Sequence, residues 1–138
     1  MLDDILKSAS ALGACERLDK VKNFHSLTSL FFTPQGLEFC QKNNFPPLEV
    51  FRAHKSDVSD CDIYVDCGSI KLDRRKYICL AGDTSAEIEA SGVDFVHTVI
   101  LMHGARATVN ASNYAVLKIV NISGSEVKIN KDKTVVVL

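Results

Sequence analysis

The chain has 138 residues, 46% of them apolar, with sixteen basic side chains against seventeen acidic. That is enough apolar material for one core, or for a small helical piece joined to a β domain. The near-zero charge balance leaves no electrostatic footprint for nucleic acid or an anionic membrane. Split at Asp60, the halves carry 7 basic against 8 acidic residues, then 9 against 9, so neither half is a charged tail. The N-terminus, MLDDILKSAS, is acidic and does not read as a secretory signal, and no apolar run approaches the length of a membrane-spanning helix. The expected location is the cytoplasm of the producing cell, with a virion as the alternative. Five cysteines, an odd number, then read as reduced thiols acting as small hydrophobes.

In chain order, residues 2–22 read as helical. Leu2, Ile5, Leu6, Ala9 and Leu12 share one face, and Gly13 is a possible break before a second helix carrying Cys15, Leu18 and Val21. Ser26 is the expected N-cap of a short helix with Leu27, Leu30 and Phe31. Thr33-Pro34 reads as a cap followed by proline at the first helical position, opening a helix to about Lys42 that buries Leu37 and Phe39 or Cys40. Pro46 and Pro47 end it. Leu48 to His54 fits either a further helical turn or two, or an extended arm. The expected division is a helical region over 1–56 and a β domain over 57–138.

The β region begins near Asp62, Ile63-Tyr64-Val65 alternates with polar residues, and from Ser69 onward the chain repeats itself. LAGDTSAEIEAS, beginning at Leu80, aligns without a gap with LMHGARATVNAS, 21 positions on. A third copy follows at a spacing of 20, pairing Gly104 with Gly124, Val109 with Ile129 and Asn110 with Asn130. An earlier stretch pairs Ile70-Lys71-Leu72 with Val127-Lys128-Ile129. Each unit holds a short alternating strand, a polar bend and a second, more apolar strand. Gly82, Gly104 and Gly124 between units suit turns with positive φ. Repeats of about 20 residues suggest stacked β units that cannot bury a core singly.

The expected fold class is therefore α+β: an N-terminal helical cap followed by a repetitive β domain, a short β-solenoid of about four units. An antiparallel β-sandwich or barrel is the alternative, with Asn130 to Lys133 as a hairpin turn. The left-handed hexapeptide helix is disfavoured, because its sixfold apolar pattern is absent.

A solenoid needs covered ends. Val135, Val136, Val137 and Leu138 form an apolar strand that is either an edge available for assembly or a strand covered by its own chain. The other surface candidates are Arg74, Arg75, Lys131 and Lys133, at equivalent turns, where stacking would give a basic edge able to meet phosphates.

Catalytic signals are sparse. His97 and His103 are an even number of residues apart and would share a strand face. A cupin-like metal site would need more His and a carboxylate, and the chain has no HxH, HExxH or CxxC. A thiol nucleophile, Cys67 or Cys79 with His97 or His103, has no activating neighbours in the sequence. Asp57, Asp60, Asp62 and Asp66 lack the glycine and terminal glutamate of a calcium loop. Glu87 and Glu89 become Thr108 and Asn110, then Lys128 and Asn130, in the later copies, which reads as a solvent face.

The runs TPQGLEFCQKNNFPPLEVFR, IYVDCGSIKL, LAGDTSAEI, VILMHGARATVNASNYAV and KDKTVVVL resemble small proteins encoded in phages and prophages of gut Bacteroidetes, over about Cys15 to Leu138. The resemblance brings no catalytic motif. It implies a phage setting, in which short β-helical or β-sandwich proteins serve as virion parts, fibres or adaptors.

The expectation is a non-enzymatic structural or protein-binding module acting by self-assembly, without cofactor or metal. It would form a homo-oligomer, with a trimer the first guess, or dock onto a larger protein assembly, with no membrane partner. A cupin-like metal-dependent enzyme using His97 and His103, or nucleic-acid binding through the basic turns, is the rival.

Overall fold

In the computed structural model the described residues are Ile5, Lys7 and 23–138, except Arg74 and Ser123. Most of the helix expected over 2–22, and Cys15 with it, lies outside them. The chain divides into two compact units, Met1–Cys61 and Asp62–Leu138. The boundary falls five residues beyond the expected one, because a last short helix extends the first unit.

Four helices are described in the first unit: α1 (Phe24–Phe31), α2 (Pro34–Asn43), α3 (Leu48–Ala53) and α4 (Lys55–Val58). Asn23, not Ser26, caps α1. Its side-chain oxygen accepts from the Ser26 amide at 2.8 Å, and the Ser26 hydroxyl accepts from the Asn23 amide at 3.1 Å, a reciprocal capping box. Thr33 caps α2 as expected, accepting from the Gly36 amide at 3.1 Å, with Pro34 at the first helical position. Leu37 and Cys40 face inward from α2. Leu48 to Ala53 is helical, so the extended-arm reading falls. Phe45 and Ile5 form a small core with Leu27, Phe39 and Val50, and the Phe39 and Phe45 rings meet edge-on at 5.6 Å.

The second unit is a parallel β-solenoid. Its strands are β1 (Ile63–Val65), β2 (Gly68–Leu72), β3 (Tyr77–Ala81), β4 (Thr84–Ser91), β5 (Val96–Met102), β6 (Arg106–Ser112), β7 (Val116–Asn121), β8 (Glu126–Lys131) and β9 (Val136–Val137). Odd-numbered strands make a five-stranded sheet and even-numbered strands a four-stranded one. Every pairing is parallel. About four turns of coil result, each contributing one strand to each sheet.

The register reproduces the sequence repeat. Leu80 pairs with Leu101, Val109 with Ile129, and Asn110 with Asn130. Ile70 stacks through Ala86 and Ala107 to Val127. The sandwich alternative is thereby excluded, since consecutive strands lie in different sheets and never pair with each other. Asn130 to Lys133 is no hairpin: it carries the chain from β8 in one sheet to β9 in the other.

The core between the sheets is built from Ile78, Leu80, Val99, Leu101 and Leu117 on one side and Ile88, Ala90, Val109 and Ala111 on the other. Alternation along each strand assigns these residues inward and their neighbours outward. The corners turn through left-handed backbone. Gly82, Gly104 and Gly124 have φ of 68°, 84° and 69°. Thr84 ties the first of these corners together. Its Oγ1 accepts from the Cys67 amide at 3.1 Å and lies within hydrogen-bond reach of the Ala81 and Tyr64 carbonyls at 3.1 and 3.3 Å.

Candidate functional site

Strand alternation divides the four C-terminal apolar residues. Val135 is 5% exposed and belongs to the core, whereas Val136, Val137 and Leu138 are 52%, 39% and 70% exposed. β9 pairs with β7 only at Val116 and Leu117. Among the described residues no strand pairs with the far edge of β8 or of β9. At this edge Val127 and Ile129 are partly buried, and Val137, paired with the core residue Leu117, is on the inward side. The corner leading into β9 is stiffened locally. Asp132 Oδ1 accepts from both the amide and the hydroxyl of Thr134, and the Tyr114 amide donates to Thr134 Oγ1 at 2.9 Å. These Thr134 hydrogen bonds hold the Asp132 carboxyl below its ordinary value, although the group is fully exposed.

The basic candidates occupy the same corner of the coil at opposite ends of the stack. Arg75 lies in the turn before β3, and Lys131 and Lys133 lie around the turn before β9. The turns Gly92 to Phe95 and Asn113 to Ala115 intervene, so three rungs separate them, about 14 Å at the usual inter-strand spacing. Arg75 is also engaged by Asp62 at 2.8 Å. Arg74 lies outside the described residues.

The histidines do not converge. His97 faces inward on β5 and is 2% exposed, with its ring 4.6 Å from that of Phe95 and its Nε2 without a hydrogen-bond partner. His103 lies past the other end of the strand, at φ 57° in the corner. Six residues of strand put them about 20 Å apart. Cys79 is fully buried on the opposite face of its sheet from that taken by His97. Among the described residues, no group of three or more His, Cys, Asp and Glu could hold a metal ion. Burial pushes the Cys40 thiol up to about 12, away from thiolate chemistry.

The acidic residues before the repeat have structural partners. Asp57 meets His54 Nδ1 at 3.0 Å, Asp62 holds Arg75, and Asp66 accepts from the Asp83 amide at 2.8 Å. Glu87 and Glu89 stand on the exposed face of the four-stranded sheet, as expected for a solvent face. There Asn110 reaches Glu89 at 3.1 Å and receives Asn130 at 2.9 Å. A shallow groove of about 290 Å³ on this face is lined by Ser85, Arg106, Thr108, Glu126 and Lys128.

A second feature was not singled out in the sequence: a stripe on the outer face of the five-stranded sheet. Val96, Val116 and Val136 stack in register there, Val116 half-buried, with Tyr77, the buried Thr98 and the half-buried Lys118 as the next column. Tyr114 and Val93, 65% and 71% exposed, lie in the loops that lead into β7 and β5. The signal was present in the alignment of VHTVILM with VLKIVN, but only the two-sheet topology tells which alternate residues point outward.

No family model matches this sequence, and searches of curated proteins and of solved structures return no significant similarity. No helix among the described residues is long and apolar enough to cross a membrane.

Proposed function

We propose that this chain is a non-enzymatic structural or protein-binding module that acts by self-assembly, as a phage virion or accessory component does. A β-solenoid is compatible with such a role, and the finer assignment rests on one observation. Among the described residues the far edges of β8 and β9 have no strand partner, and the side chains of Val136, Val137 and Leu138 beside them are exposed. Unpaired backbone groups on a strand edge are a template for another strand, and apolar side chains beside them favour association once water is expelled.

The test is mass in solution by light scattering, comparing the full chain with one ending at Lys133. An oligomer that dissociates on truncation supports the reading. A monomer at every concentration overturns it.

A further inference from the structure

We propose that two copies of this chain pack face to face through the Val96–Val116–Val136 stripe, related by a twofold axis along the solenoid stack. The proposal rests on the self-assembly reading and names a surface for it other than the open edge.

Seven large apolar side chains are exposed among the described residues. Four of them, Tyr77, Val96, Val136 and Leu138, lie on this stripe; Val93 and Tyr114 are in the loops leading into β5 and β7, and the seventh, Val137, is at the rim of the last turn. Such concentration on one face is what an interaction surface shows and a scattered surface does not. Val96 and Val116 belong to strands paired on both sides, so the stripe does not depend on the open edge. A flat ladder of β-branched residues suits close mating with another sheet face.

The charges choose both the occupant and the symmetry. Lys118 lies one outward position beyond Val116 and has no acidic partner among the described residues. Asp94 and Tyr114 lie two residues before Val96 and Val116, on the other side of the valine column. Thr134 stacks on Tyr114 and carries Asp132 with it. A twofold axis along the stack keeps each rung level and exchanges the two sides of the column. Lys118 of one copy then meets Tyr114 of the other, one rung of about 4.8 Å from Asp94 below and Asp132 above. Cation–π contact and two carboxylates of opposite charge favour that placement. The other twofold that mates the same faces, along the strands and centred on β7, sets Lys118 against its own copy, which is repulsive. Arg75, level with Val96 by register, is neutralised by Asp62, so the surface is complementary to itself in one orientation, and the assembly closes as a pair rather than the trimer expected from the sequence.

The experiment is light scattering and sedimentation equilibrium on the full chain and four variants, with circular dichroism to check folding. The expected result is a dimer that survives Val137→Lys at the rim but dissociates in Val96→Lys. Lys118→Glu should weaken it about tenfold, and adding Asp94→Lys to Lys118→Glu should recover most of the loss. Recovery by a charge swap is not produced by a folding defect. A dimer lost in Val137→Lys and kept in Val96→Lys overturns this interface and leaves edge assembly standing. A Lys118→Glu variant that dimerises as the parent does overturns the twofold arrangement. A monomeric full chain overturns both.

Discussion

In the four-stranded sheet apolar and polar residues alternate: Ala86, Ile88 and Ala90 are buried on β4, and Glu87 and Glu89 stand exposed between them. In the five-stranded sheet β5 has no exposed residue from His97 to Met102. Ile100 and Met102 point away from the core between the sheets and are as fully buried as Leu101, which points into it. One coil therefore combines a strand patterned for water on one face with a strand that is apolar on both. The exposed part of the five-stranded sheet's outer face is confined to the start of its strands, where the valine stripe lies. A parallel strand buried on both faces reads as a continuous apolar run, whereas a half-exposed one alternates.

The difference between the sheets is open to direct tests. The largest effect comes from a buried charge. Ile100→Asp and Ile88→Asp should each abolish cooperative unfolding, whereas Glu87→Asp should leave the melt within about 0.5 kcal/mol of the parent. Tolerance of Ile100→Asp in thermal or urea denaturation would break the two-faced description of β5. Next is the corner: Thr84→Val removes the bond to the Cys67 amide and the two carbonyl contacts, and should cost about 1–3 kcal/mol in urea denaturation. On the polar face, Asn110→Ala breaks the Asn130–Asn110–Glu89 ladder and should cost only about 0.2–1 kcal/mol.

The smallest effect is a pH dependence at the last corner. Because the Asp132 carboxyl is held below its ordinary value of 3.8, its contribution is present above that pH and is lost as pH falls through its depressed value. Carboxyl chemical shifts should titrate below 3.8, with the Tyr114 and Thr134 amides losing protection in the same range. Asp132→Asn should remove that dependence, and an unshifted titration would contradict the hydrogen-bonded corner.

Much of this architecture was legible because a solenoid writes its register into the sequence. Equivalent residues stack directly, so Gly104 recurs as Gly124 and Asn110 as Asn130 at one coil's spacing. Thr33-Pro34 was legible for the same reason on a smaller scale, since a cap and an N1 proline are local chemistry. Asn23 was missed because several neighbouring polar residues could start that helix, and only the formed turn shows which side chain meets the Ser26 amide. At the C-terminus an apolar strand was evident, but Val135 in the core and Val136 outside differ only by alternation about an axis the sequence does not display.

The sequence by itself determined the repeat, its period of about 20 residues, the corner glycines and the near-neutral charge. These are properties of single residues and their spacing along the chain. Only the tertiary structure decided that the strands pair in parallel between coils, that His97 and His103 lie apart, that the basic turns are separated by three rungs, and that Val96, Val116 and Val136 form one outward column. Those outcomes depend on strand partners distant in the chain. A strand's side chains acquire an inside and an outside only when a second sheet closes over one of its faces.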